Sequence, residues 1–358
     1  MDPLLRILAA PTTMPSLTAV EWTSVMQRAR RRALLGKLGV LAQDAGVLDE
    51  LPPAVQRQFL SMMRLADHNA EHLKAEAFLL LHTLRDDAPP VVFLKGAAYA
   101  LLGLQADRGR VSSDIDILVP RDRINGVEAA LQQANWDPMK LSAYDQDYYR
   151  RWMHEIPPLR HRIRATVIDV HHTILPLTGR ITPDPVALID AVTAINVEGR
   201  TALVPCPEDL VIHAAVHLFQ DGDLSERLRD LLDIKQMVAA FSADESFWGR
   251  LADRAALHES VRPLFYALYF ARSMLKAEVP DAVLEGWRGA PGPMARAVMN
   301  LLVPTALVPS VPDRAPPFAG LARWLLFLRS HWLRMPPLLL ARHLTIKAFR
   351  NLGDRFRR

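Results

Sequence analysis

The amino-acid sequence predicts an α+β protein, a small mixed-sheet core held between helical regions. Three observations carry that prediction. Short β-branched runs at 91–94, 115–119 and 165–171 alternate with helical patterns. Long stretches on either side place apolar residues at helical spacing. Glycine is scarce (16) and proline abundant (27) among 358 residues, which favours proline-punctuated helices over a glycine-rich β-protein.

The N-terminal helical region spans 1–88. Helical spacing runs over 21–41 and 55–84, with Pro52-Pro53 separating the two and Pro89-Pro90 closing the region. Arg28, Arg30, Arg31 and Arg32 read as a solvated helix face, with phosphate binding as the alternative. The α/β core spans 89–182. Val91-Val92-Phe93-Leu94 is a buried strand, Lys95-Gly96 a turn, and 97–104 a short helix. Residues 115–119 form a second strand closed by Pro120, 124–134 a helix, and 165–171 a third strand. A helical domain follows over 183–290, where strands are scarce. Pro207-Glu208-Asp209 opens a helix that runs to Phe219, because proline and acids suit a helix start. Asp221-Gly222-Asp223 breaks it, and 224–240 is the next helix. Seven prolines in 291–317 mark a connector to a basic amphipathic tail, giving a last region of 291–358.

Composition excludes several classes. An apolar half with 23% charge rules out wholesale disorder. The single cysteine, Cys206, excludes an internal disulfide framework and a cysteine-based zinc cluster, and suits a reducing, cytoplasmic compartment. Asp2 stands where a signal peptide needs positive charge, and no run approaches ~18 uncharged apolar residues, so neither a leader nor a membrane span is expected. The net charge of +4 is uneven. Residues 319–358 carry nine Arg or Lys against Asp354, which leaves the rest of the chain acidic.

Ser112-Ser113-Asp114-Ile115-Asp116-Ile117-Leu118-Val119 is the most informative stretch. Residues i and i+2 of a strand share a face, so Asp114 and Asp116 project together while Ile115 and Ile117 face the apolar side. Two carboxylates this close need a counter-charge or a proton, and a hard divalent cation meets that need. Val167-Ile168-Asp169-Val170-His171 sets a third carboxylate in another apolar strand, where an unpartnered charge is costly. Three such groups suit a two-metal site that holds a phosphate between attacking and leaving oxygens. His171 shares the Asp169 face and is a candidate contact for metal, phosphate or acceptor. Upstream, Gly96 lies where a strand turns into a helix, which lets backbone approach a phosphate, and Lys95 adds a point charge.

Leu94-Lys95-Gly96, Arg108, Ser113-Asp114-Ile115-Asp116 and Ile168-Asp169-Val170-His171 together resemble the polymerase-β-type nucleotidyltransferase superfamily. More narrowly they resemble its bacterial group of uncharacterised nucleotidyltransferases. The resemblance extends to the helical region with Pro207-Glu208-Asp209, His217 and Asp233. It implies a small nucleotidyltransferase core, two Mg2+ ions on Asp114, Asp116 and Asp169, and a nucleotide site including Lys95, Gly96, Arg108 and Ser113. It also implies transfer of an NMP group from an NTP, ATP by default, to an acceptor with release of pyrophosphate. The chain departs at Ala97, where the superfamily usually has serine or glycine, so triphosphate binding falls to backbone amides and to Lys95 or Arg108. A nucleotidyltransferase-like binding, accessory or antitoxin-like protein is the non-enzyme alternative. A metal-dependent glycosyltransferase is the other, but it expects a nucleotide-binding α/β half before its Asp-x-Asp.

Further features fall outside the motif. His68/His72 and His213/His217 are i, i+4 pairs, and His217 is expected to bond a carboxylate such as Asp233. Asp145, Asp147, Tyr148, Tyr149, His154 and Glu155 either border an acceptor pocket or form a solvated loop. In the tail, Leu321, Trp324, Leu325, Leu328 and Trp332 fall at helical spacing among Arg323, Arg329 and Arg334. Phe349, Leu352 and Phe356 repeat the pattern. Packing of this stripe onto the helical domain is the first expectation. Anionic membrane or RNA is the alternative partner.

Overall fold

A computed structural model describes residues 2–84, 90–221, 224–287, 289–310 and 316–336. Helix α1 (Pro3–Ala9) is capped by the Asp2 carboxylate, and α2 (Ala19–Arg31) by a reciprocal Thr18–Glu21 capping box. The helix expected over 21–41 is two helices. Ala33 takes a left-handed φ of 51°, and the chain restarts as α3 (Leu35–Asp44). Helix α4 (Pro53–Thr83) begins with proline at its first position, where no amide hydrogen is needed.

The sheet begins with β1 (Val92–Leu94), fully buried, which runs into α5 (Lys95–Leu101). Next come β2 (Asp114–Leu118), α6 (Ile124–Gln133), β3 (Trp136–Pro138), α7 (Ala143–Trp152), β4 (Leu159–His161) and β5 (Val167–His171). After α8 (Pro185–Asp190), β6 (Val192–Val197) and β7 (Arg200–Pro205) form a hairpin through Glu198-Gly199, both at positive φ, as its two-residue turn requires. The seven strands lie in the order β3-β4-β5-β2-β1-β7-β6. Two neighbouring pairs, β2–β5 and β1–β7, are parallel, and the others antiparallel, so the sheet is mixed. The α+β class is as expected, and among the described residues after 183 the strands are few: the single β6–β7 hairpin. The hairpin carries the sheet past residue 182, because β7 pairs with β1 at Val92–Leu203.

Helices α9 (Pro207–Val216), α10 (Leu228–Phe241), α11 (Phe247–Leu257), α12 (Val261–Leu275), α13 (Asp281–Glu285), α14 (Pro293–Leu307) and α15 (Ala319–Arg334) follow. A single continuous core joins Leu4, Phe59, Phe93, Ile168, Phe219, Phe270 and Leu326, so the N-terminal helices, sheet and C-terminal helices share one interior. The four arginines of α2 and its C-cap do not form a free phosphate grip. Arg28 pairs with Asp2, Arg30 with Gln58, and Arg32 with Glu226, while Arg31 donates to the Ser310 carbonyl. The tail stripe does not pack inward either. Helix α15 buries Ala319, Ala322, Leu326 and Ser330, while Leu321, Trp324, Leu328 and Trp332 stand exposed. Gly222 and Asp223 of the expected break and the second half of the tail, with Phe349, Leu352 and Phe356, lie outside the described residues.

Candidate active site

Strand pairing creates the site. The central strands are apolar on the core side, and register sets Asp116 directly beside Asp169 across the parallel β2–β5 pair, with Asp114 beside Val167. Antiparallel pairing of β1 with β2 places Leu94 opposite Asp116, so the chain turns into α5 at the level of the carboxylates. Lys95 makes that turn at φ 43°, a strained conformation for a residue with a side chain, and it aims its ammonium at the site.

Asp116 is buried (4% exposed) and its Oδ1 receives two donors: Lys95 Nζ at 2.6 Å and His171 Nε2 at 2.8 Å. Burial pushes this carboxyl up, but the Lys95 charge and the His171 bond outweigh it and hold Asp116 well below the usual carboxylate range. Its neighbours go the other way. Burial and then the Asp116 charge raise Asp114. Burial, Asp116 and Asp114 push Asp169 up to about 7. Asp169 Oδ1 is buried with no hydrogen-bond partner. An orphaned buried carboxylate oxygen with two further carboxylates nearby could receive a hard divalent cation.

The three carboxylates face a cleft of about 350 Å3. Lys95, Gly96, Arg110, Ser112, Ser113 and Arg229 line it, together with His154, Glu155 and His217. Gly96 is required by packing: a Cβ there would meet Ser112 Oγ at 2.2 Å. Asn69 holds Ser112 through both backbone groups, accepting from its N–H at 2.8 Å and donating to its carbonyl at 3.0 Å. Ser112 thus brings a hydroxyl to the turn where Ala97 has none, and Arg110 Nε donates to it at 3.2 Å.

Not every candidate lands in the cleft. Lys95, Gly96, Ser113, Asp114, Asp116 and Asp169 line it, and His171 reaches it through Asp116. Arg108 does not. It forms a bidentate pair with Asp44 at 2.8 and 2.9 Å on the surface. The cations that join Lys95 in the cleft are Arg110 and Arg229, which sequence reasoning missed. A residue's place in the loop between α5 and β2 has no periodicity to reveal it, although the Ser112-Ser113 doublet before Asp114 marks the spot. His217 is bonded through Nδ1 to Arg227 at 2.8 Å, not to Asp233. Asp233 instead pairs with Lys37 at 2.9 Å and with Arg110. Of the residues between the strands, His154 and Glu155 line the cleft, whereas Asp147 pairs with Arg151 at the surface. His68 and His72 are exposed on α4. Burial, followed by repulsion from Lys95, keeps His213 and His217 neutral. A larger hollow of about 590 Å3, lined by Lys74, Phe78, Leu79 and Val197, lacks the buried carboxylates.

Mixed sheet and cleft together define an α+β protein with a carboxylate cluster beneath a strand-to-helix turn. The chain belongs to the uncharacterised nucleotidyltransferase family, which matches residues 18–276. That family gives it a general nucleotidyltransferase-like role. Among solved structures, an antigenic nucleotidyltransferase-like protein from Paracoccidioides brasiliensis is similar to it at 16% identity and a TM-score of 0.35. The match covers 61% of this chain and 98% of that one. No curated protein matches. Among the described residues, no helix is long and apolar enough to cross a membrane.

Proposed function

We propose that the protein transfers an NMP group from an NTP, with ATP the default donor, to an acceptor nucleophile and releases pyrophosphate. The observation that carries this reading is the Asp114–Asp116–Asp169 cluster with its orphaned Asp169 oxygen, facing Lys95, Arg110 and Arg229 across one cleft. Asp114, Asp116 and Asp169 would hold Mg2+, which when bound neutralises charge on the triphosphate and its leaving group. Lys95, Arg110 and the Ser112 and Ser113 hydroxyls bind and orient the phosphates, with the backbone at Gly96 beside them. Asp169, on the strand beside Asp116, would orient the acceptor nucleophile and help take its proton. Incubation with magnesium, each α-labelled NTP and lysate fractions tests the reading. Label from one NTP should enter a product with the wild type and not with Asp116→Asn; no labelled product from any NTP overturns it.

The exposed stripe of α15 supports a second proposal, peripheral contact with an anionic membrane. Leu321, Trp324, Leu328 and Trp332 offer the apolar face, and the surplus of basic residues in 319–358 offers the charge.

A further inference from the structure

Behind Asp116 lies a donor cluster that the transferase reading does not use. His154, Glu155 and His171 each present one ligand atom, and these atoms all lie within 4.8 Å of one another. Two backbone links fix the arrangement. Glu155 bridges His171 in antiparallel fashion, and the His172 N–H donates to the His154 carbonyl at 2.9 Å. His171 is fully buried and His154 is 5% exposed.

Hydrogen bonding leaves His154 unaccounted for. Its Nδ1 is buried without a partner, and its Nε2 comes no nearer than 4.0 Å to Glu155 Oε2, beyond bonding reach. A buried imidazole that spends neither contact well is costly unless something else takes its lone pair. The spacing suits an ion. Tetrahedral bonds of about 2.0–2.1 Å set ligand atoms about 3.4 Å apart. His171 Nε2 and Glu155 Oε2 are 3.4 Å apart; His154 stands farther out, its Nε2 4.0 Å from Glu155 Oε2, and must move inward to bind the same ion.

We infer that His154, Glu155 and His171 form a site for a borderline divalent ion of the zinc type, separate from the oxygen-only cluster of Asp114, Asp116 and Asp169. Two imidazoles and one carboxylate select such an ion over magnesium, which prefers all-oxygen sites. Three protein ligands leave a fourth position, and Asp116 Oδ1, 2.8 Å from His171 Nε2, lies beside it. His171 Nε2 cannot serve the ion and Asp116 at once, so occupancy frees an acceptor site on the central carboxylate.

Equilibrium dialysis with Zn2+ and visible spectroscopy of the Co2+-loaded full chain test the site without reference to transferase activity. Wild type should bind one Zn2+ per chain, and the Co2+ form should show the intense ligand-field absorption of a four-coordinate site with nitrogen ligands. His154→Gln and Glu155→Gln should each weaken Zn2+ binding by about a hundredfold, with circular dichroism confirming that both variants fold. Asp114→Asn should keep the site, which separates this outcome from any failure of the nucleotide reading. No Zn2+ retained by wild type, or equal retention by folded Glu155→Gln, overturns the inference.

Discussion

Two buried aspartates, each gripped by a lysine, have opposite surroundings. Asp233 on α10 pairs with Lys37 of α3 through one oxygen and with Arg110 through the other. Lys37 in turn donates to the Ala106 carbonyl at 2.5 Å and to Gln236 at 2.9 Å. Asp107 and Asp230 add their charges around that pair, but each Asp233 oxygen has its own cation, and the cluster ties the N-terminal helices, the loop before β2 and the helical domain together. Asp116 also has a lysine, but both its donors sit on a single oxygen, two more carboxylates adjoin it, and the cluster opens on a cleft. A closed ion network holds a fold; one with surplus negative charge and an orphaned oxygen is built to receive something positive.

The sharpest way to break this contrast is to neutralise each centre in turn. Asp116→Asn should lower transfer by about a thousandfold or more, as loss of a group that stabilises transition-state charge does, with circular dichroism confirming that the variant folds. Full turnover by this variant at equal folded concentration would remove the mechanism. Asp233→Ala should act on stability, costing about 3–5 kcal/mol in urea unfolding because Lys37 and Arg110 are left buried and unpaired. An unaltered midpoint would mean that the cluster contributes nothing to the fold.

A pH series sharpens the comparison further. The Asp169 carboxyl titrates near 7 in the folded chain against an ordinary 3.8. The folded state therefore keeps a proton that the unfolded state has released, and stability falls as pH rises from about 4 to about 7, then levels. Asp169→Asn should make that slope shallower, leaving the part that Asp107 and Asp114 contribute, and exceed the wild type in stability at pH 8. Parallel wild-type and variant curves across this window would contradict the burial and repulsion assigned to Asp169. A smaller effect is expected at the turn. Gly96→Val must displace Ser112 and should weaken NTP binding about tenfold, and Lys95→Ala should weaken it without removing magnesium sites. Titration calorimetry showing unchanged affinity for both would place the donor elsewhere.

The smallest effect concerns the outer face of α15. Full-length protein should sediment with anionic liposomes at low salt and less after deletion of 336–358. Equal pelleting after the deletion leaves residues 336–358 without a membrane role, and no lipid-dependent pelleting of the full chain leaves the stripe without one.

The carboxylates were legible in the sequence because a strand's period of two assigns faces without any long-range knowledge. Asp114, Asp116 and Asp169 needed only the pairing of β2 with β5 to meet. Cations were harder. Arg108 and Arg110 are two apart in an irregular loop, and only tertiary contacts send one to Asp44 and the other to the cleft. The β6–β7 hairpin escaped because β6 is an edge strand with polar, exposed positions such as Thr193 and Asn196, so it lacks an apolar run. Its Glu198-Gly199 turn was the available signal. The split between α2 and α3 left no mark, since alanine favours helix and seldom adopts the left-handed φ that Ala33 takes at the break.

The central claim is that these three carboxylates and their facing cations bind a magnesium–nucleotide complex. Its most direct test is calorimetric titration of each NTP, with and without Mg2+, into wild type and Asp116→Asn. The account predicts that at least one NTP binds wild type only when magnesium is present and that Asp116→Asn loses this binding while remaining folded. Nucleotide binding that ignores both magnesium and the Asp116 substitution, or no binding of any NTP, would contradict it.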